Sequence, residues 1–236
     1  MRPRVWLPDR SAVTMTDTAV INICFHGIGS PQRSLEPDED RYWISKDFYR
    51  RVLGEVANRP DVVLSFDDGN ASDIALGLDG LLEHNLTATF FVLAGRLDKA
   101  GSLAARDLKE LRQHGMRIGS HGMEHVPWRF LAEPERVREL IEARELIGQA
   151  AGKPVVEAAL PLGRYDRRVL ADLRHLGYQR VFSSDRRRTN MGAWLQPRFS
   201  IRADDTIESV RSTILAPPSR LDSLRTKGIS ALKRIR

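Results

Sequence analysis

Apolar residues along this chain alternate between short dense runs and longer stretches in which they recur every three or four positions. The dense runs, at 20–25, 62–66, 87–93, 117–120, 155–160, 180–184 and 197–201, predict buried strands rich in Val, Ile, Leu and Phe. The helical spacing predicts helices over about 46–58, 71–84, 104–114, 133–150, 165–176 and 205–214. The punctuation agrees with this reading. Ser45 stands at an N-cap position, Pro60 stops the first helix, and Gly115, Gly152 and Gly177 follow later ones. Strand then helix, repeated about seven times, implies parallel strands with right-handed crossovers, as a barrel or as an open doubly wound sheet.

The strand ends help to choose between the two. His26, Asp67 with Asp68, His121, the turn Pro161-Leu162-Gly163 and Asp185 all follow apolar runs. A barrel gathers such ends at one mouth, whereas an open sheet concentrates its site at one crevice. His26-Gly27-Ile28-Gly29-Ser30 lacks the spacing of a phosphate-binding loop, so a barrel is the better expectation.

Side chains alternate along a strand, so the neighbours Asp67 and Asp68 can leave its end in different directions and hold different jobs. His121 and His125 lie four residues apart after another apolar segment, and with Asp68 they make two imidazoles and a carboxylate suited to a divalent cation. The competing reading gives all four residues local structural roles. A zinc-peptidase reading of His-x-x-Glu-His needs a long helix around the motif, which Pro127 interrupts. His26 reads as a pocket wall, Asp73 as a carboxylate favoured by a helix N-terminus, and the acidic stretch 31–42 as an exposed loop.

Composition narrows the class. With 236 residues and 42% hydrophobic content the chain can build one sizeable core. A single cysteine, Cys24, excludes a disulfide framework and reads as a buried small residue. Net charge is +6, but the last twenty residues carry six basic side chains against Asp222, so the body is close to neutral and no nucleic-acid partner is expected. That tail reads as a solvated helix or as a contact for an anionic membrane surface or protein partner. The N-terminal residues lack the apolar core of a secretory signal and no run reaches membrane-spanning length, so the expectation is a cytoplasmic protein. The expected organisation is an irregular lead over 1–17, in which Met15 is an alternative start, a catalytic domain over 18–216 and a basic tail over 217–236.

Phe66-Asp67-Asp68-Gly69 combined with His121-Gly122-Met123-Glu124-His125 resembles the polysaccharide deacetylase superfamily, the carbohydrate esterase family four type. The resemblance covers roughly residues 20–215. It implies a distorted seven-stranded β/α barrel that removes an N-acetyl, or an O-acetyl, group from a sugar during surface-polysaccharide assembly. It further implies Asp67 as catalytic base and Asp68, His121 and His125 as ligands of zinc or a similar divalent metal. The backbone N–H of Leu162 would be a second oxyanion donor. A carbohydrate, or a lipid- or nucleotide-linked sugar, would be the substrate; Trp128 and Trp194 are candidates to stack on a sugar face, and ordinary packing explains them equally well. Two family features are missing. Ala159 stands where the family has an arginine that orients the base, and Ile214-Leu215-Ala216-Pro217 lacks the histidine that acts as acid. His26 is the candidate replacement acid. Arg198 is a candidate either for the space vacated at Ala159 or for substrate contact, whereas Arg202 is expected to pair with Asp204 or Asp205. A metal-binding protein that holds a glycan or partner without efficient turnover is the alternative.

Overall fold

The computed structural model describes residues 18–217, so the expectations for 1–17 and for the basic segment from 218 onward lie outside the described residues. Seven strands form the frame: β1 (Ala19–Phe25), β2 (Val62–Asp68), β3 (Ala88–Val92), β4 (Arg117–Ser120), β5 (Glu157–Ala159), β6 (Arg180–Ser183) and β7 (Leu195–Ser200). Each pairs in parallel with the next in chain order, and β7 returns to β1 with Asn22 opposite Arg198. The sheet is thus closed, which leaves no long exposed edge and brings every strand's C-terminal end to one mouth.

The two faces of the barrel differ in chemistry. Ile21, Ile23 and Phe25 of β1, Leu64 and Phe66 of β2, and Phe90 and Val92 of β3 join the main apolar cluster. The intervening residues face the interior, where Asn22 donates from Nδ2 to Gln196 Oε1 at 2.9 Å and Arg198 reaches Ser65 and Asp67. At the N-terminal ends of the strands, Arg117 Nε donates to Thr89 Oγ1 at 3.0 Å, and Arg117 and Arg180 both lie within 4 Å of Glu157. The barrel is therefore filled largely by paired polar groups, while the apolar core lies between the sheet and its helices.

The helices follow the sequence punctuation. Helix α1 (Lys46–Val56) begins where Ser45 Oγ accepts the Phe48 N–H at 3.1 Å, and it buries Tyr49, Val52, Leu53 and Val56. The long helix expected after Ala132 forms as Glu133–Val137, a wide π turn over Arg138–Glu142, and Ala143–Ala151, ending at Gly152 with φ 72°. Among the described residues no helix is long and apolar enough to cross a membrane.

Two expectations need correction, and one short strand was not foreseen. The stretch 31–42 is not simply an exposed loop, because Glu39 is buried against Arg33, and Gly27–Ile28 pairs with Trp43–Ile44 beside it. A short strand at Thr189–Asn190 pairs antiparallel with β1 and left no apolar trace in the sequence. Asp73 does not cap an exposed helix start. It opens a π turn at Asp73–Gly77, is fully buried, and neither carboxylate oxygen has a hydrogen-bond partner. Burial, with the nearby Asp68 charge adding to it, pushes the Asp73 pKa well above the ordinary carboxylate value, which favours the neutral acid.

Two outcomes follow for the scaffold. Gly119 sits directly opposite Phe91, and a Cβ there would stand 2.4 Å from the ring. Gly119→Ala is expected to lower the denaturant midpoint by an amount equivalent to about 1–3 kcal/mol of overpacking. Asp73 binds its proton more tightly in the folded chain than in the unfolded one, so the wild-type loses stability as pH rises above the unfolded carboxylate pKa, until the folded pKa is passed. Thermal melts of Asp73→Asn against wild-type should show a gap in favour of the variant that widens from pH 4 to pH 7; a constant gap would refute a neutral Asp73.

Candidate functional site

Asp67 is the last inward-facing residue of β2. Arg198 on β7 meets it with both ends of its guanidinium, Nη1 to Oδ1 at 2.6 Å and Nη2 to Oδ2 at 2.7 Å, and Nη1 also donates to Ser65 Oγ at 3.1 Å. Both side chains are buried, and the arginine packs 5.3 Å from the Phe91 ring centroid and 5.8 Å from that of Phe182. These two rings and Ala159 form one small cluster, so the small residue at 159 is accommodated by packing, and the guanidinium arrives instead from β7, two strands along the barrel wall. Burial alone would raise the Asp67 pKa. The Arg198 charge, then that of His121, and the paired hydrogen bonds outweigh burial and hold the carboxyl well below its usual range. Arg198 thereby holds the Asp67 carboxylate, the role posed for the space vacated at Ala159, and it also lines the cavity at the barrel mouth.

Asp68 turns the other way. Its φ of 75° is unusual for a residue with a side chain, and its carboxylate joins two imidazoles: Oδ1 lies 3.6 Å from His121 Nε2 and 3.6 Å from His125 Nε2. That oxygen is buried and has no hydrogen-bond partner. The three candidate ligand atoms all lie within 4.8 Å of one another. Ligands about 2.0–2.2 Å from a tetrahedral zinc ion would stand roughly 3.3–3.5 Å apart, so an orphaned carboxylate oxygen flanked by two ring nitrogens fits a divalent cation.

The imidazoles are oriented for that task. His121 follows β4, where its N–H donates to Val92 O at 2.8 Å, and its Nδ1 stands 2.9 Å from the carbonyl of Ala159. A hydrogen on Nδ1 satisfies that carbonyl and leaves Nε2 with a free lone pair. Burial, the main influence, pushes the His121 pKa down to about 4, so the ring is neutral at neutral pH. The loop carrying both histidines is built around Glu139, which is buried and accepts the N–H of Met123 at 2.8 Å, that of Glu124 at 3.1 Å and Trp128 Nε1 at 3.3 Å. Gly122 has φ 89°, and a Cβ there would lie 2.4 Å from Glu139 Oε2, so a glycine is required for this packing.

Trp128 therefore differs from its expected role. It is buried in an apolar cluster and tied to Glu139, so it cannot stack on a sugar, and Trp194 is likewise occupied, donating to Tyr178 O and lying under Arg174. Arg202 shows no side-chain ion pair among the described residues; it is the Arg202 backbone N–H that donates to Asp205 Oδ2. His26, Leu162, both aspartates and both histidines line one cavity of about 380 Å³ at the barrel mouth. The His26 ring stacks on Tyr42 at 4.7 Å between centroids, and its Nδ1 has no partner. Leu162 is 52% exposed and holds φ 54°. Asp38, Asp68, His125 and Leu162 are thus four non-glycine residues in left-handed backbone around one cavity, the kind of strain of order 1–3 kcal/mol each that surrounding structure must enforce.

A second grouping, Cys24 with His26 and Asp67, also has donor atoms within reach of one another. It is a poorer cation site, because burial pushes the Cys24 thiol well above its usual pKa and both Asp67 oxygens already accept from Arg198.

The arrangement can be set beside known proteins. The family model for polysaccharide deacetylase matches residues 54–181. YxkH of Bacillus subtilis is 25% identical over 118 residues, covering 50% of this chain and 42% of its own length, so the chain spans less than half of that relative. A chitooligosaccharide deacetylase of Sinorhizobium fredii is 29% identical over 202 residues, covering 80% of this chain and 90% of its own. A crystal structure of a polysaccharide deacetylase from Bacillus cereus shares the fold with a TM-score of 0.73, at 17% identity, over 84% of this chain and 69% of that one. With a seven-stranded parallel barrel and a family match over more than half its length, the chain belongs to the polysaccharide deacetylase family.

Proposed function

We infer that this chain is a metal-dependent carbohydrate deacetylase that hydrolyses the N-acetyl group of a sugar. The reading rests on one observation above all: Asp68 Oδ1, buried and without a hydrogen-bond partner, lies 3.6 Å from two imidazole nitrogens, next to an aspartate pinned by arginine. Asp68, His121 and His125 would hold the cation, with zinc the metal best suited to two nitrogens and one carboxylate. When bound, such a cation would polarise the acetyl carbonyl and acidify the attacking water, which a carboxylate as weakly basic as Asp67 requires.

The remaining work falls to this chain's own groups. Asp67 accepts the proton of the attacking water. Arg198 keeps it ionised and aimed, and each carboxylate oxygen retains a second lone pair for that proton. The backbone N–H of Leu162, on the strained turn at the cavity rim, would donate to the oxyanion. His26 hands a proton to the departing amine, a task for which residues 214–217, at the end of a helical turn rather than a strand, offer no imidazole. Water and an N-acetyl sugar thus become acetate and an amino sugar. An O-acetyl group would depend less on His26, because an alkoxide leaves with less need of protonation than an amine.

The fuller reading places this reaction in the cytoplasm on a lipid- or nucleotide-linked precursor of a surface polysaccharide, with a catalytic unit over 18–216 flanked by a lead and a basic tail that touches an anionic surface or partner. The single cysteine is buried and unpaired, in keeping with a reducing compartment.

Elemental analysis after purification without added metal should find divalent metal in the wild-type and a loss of it in His121→Ala; equal content in both would sink the ligand assignment. Asp67→Asn should retain metal and release acetate about 10²–10⁴-fold more slowly. His26→Ala should slow release from N-acetyl sugars far more than from O-acetyl esters, and an equal effect on both would remove His26 as the acid. Metal-loaded wild-type that binds sugars but releases no acetate would favour the glycan-binding alternative.

A further inference from the structure

His121 and His125 present the same ring nitrogen, Nε2, to Asp68, but their other nitrogens meet different partners. For His121 that partner is a neutral backbone carbonyl. For His125 it is a carboxylate: Glu36 Oε2 lies 2.6 Å from Nδ1. A carboxylate at that distance fixes the ring hydrogen on Nδ1, points the bare Nε2 at the cation position, and makes the imidazole a stronger donor than a carbonyl would. His125 needs such help, since it lies within an irregular loop, with φ 58°.

Glu36 is itself held in place. Its other oxygen pairs with Arg96, and its backbone N–H donates to Glu39 Oε2 at 2.8 Å. Glu39 is buried and paired with Arg33, whose Nη2 and Nε reach Asn70 Oδ1 at 2.8 and 3.2 Å. Asn70 follows Asp68 by two residues. Arg96 closes the turn Ala94–Arg96, whose first two N–H groups donate to Gly122 O at 2.9 Å and Met123 O at 3.0 Å inside the histidine loop. One segment therefore bonds to both halves of the site. It precedes residue 54, where the family match begins.

We propose that residues 33–39 form a strap that ties the Asp68 and His125 segments together, and that Glu36 is a positioning residue that orients His125 for metal binding. This rests on the assignment of Asp68, His121 and His125 as metal ligands. The strap acts before any substrate arrives, so its effect is read in metal affinity. It differs from a structural link in needing an acceptor at position 36: an amide oxygen can still take the Nδ1 hydrogen, whereas a methyl group cannot.

The test is Zn²⁺ affinity, by competition with a chromogenic chelator, for the full chain as wild-type, Glu36→Ala, Glu36→Gln and, as a control on the same segment, the 80% exposed side chain Asp38 changed to Asn. Glu36→Ala is expected to bind Zn²⁺ about 10–100-fold more weakly. Glu36→Gln should fall between Ala and wild-type, and Asp38→Asn should match wild-type. Undiminished affinity in Glu36→Ala, or equal losses in Ala and Gln, would overturn the positioning role while leaving the ligand assignment intact. Failure of the wild-type itself to bind Zn²⁺ would overturn the assignment, and the strap with it.

Discussion

Arg198 and Asp67 meet across the barrel interior, and most of the site is arranged around that pair. A buried carboxylate and a buried guanidinium are each costly to remove from water, and each is tolerable here because the other answers it with two short parallel hydrogen bonds. The pair joins β2 to β7, two strands separated in the barrel by β1. It sits under the Asp68, His121 and His125 cluster and over Phe91 and Phe182. Its strength sets a condition on the chemistry. An aspartate held this far below its normal pKa stays ionised but takes a proton reluctantly, so any hydrolysis at this site relies on activated water.

The resemblance implied an arginine at the end of β5, where this chain has Ala159. The barrel shows how that loss is tolerated. Strand ends converge on one axis, so a guanidinium from β7 can reach the same carboxylate that one from β5 would serve. Ala159 still contributes through its carbonyl, which orients His121. The same economy of position appears in the histidine loop, where buried Glu139 collects three N–H groups and leaves both rings facing Asp68.

The fold was readable because each strand and helix is a local pattern: Val62 to Phe66 announces a strand and Ser45 a helix start without reference to anything distant. The metal candidates were readable for a similar reason, since Asp67 with Asp68, and His121 with His125, are short motifs at strand ends. What escaped were contacts made only by folding. Glu36 meets His125 across 89 residues and Arg198 meets Asp67 across 131, and no spacing rule spans such distances. Arg198 did leave a trace, a charge inside the strand Leu195–Ser200, which allowed its role to be posed but not chosen. Trp128 was misplaced because an aromatic beside Pro127 looks exposed until Glu139 is seen beneath it. Asp73 was misread because the chain opens a wide π turn there, and regular helical spacing no longer says which side chains turn inward.

The central claim is that Arg198 exists to answer the buried charge of Asp67, and a double-mutant cycle in denaturant tests it most directly. Arg198→Ala alone would leave an uncompensated buried carboxylate and should cost about 3–5 kcal/mol. Adding Asp67→Asn removes that charge and should recover a large part of the loss, so that the double variant is more stable than Arg198→Ala alone. Costs that simply add, within about 0.5 kcal/mol, would contradict the account.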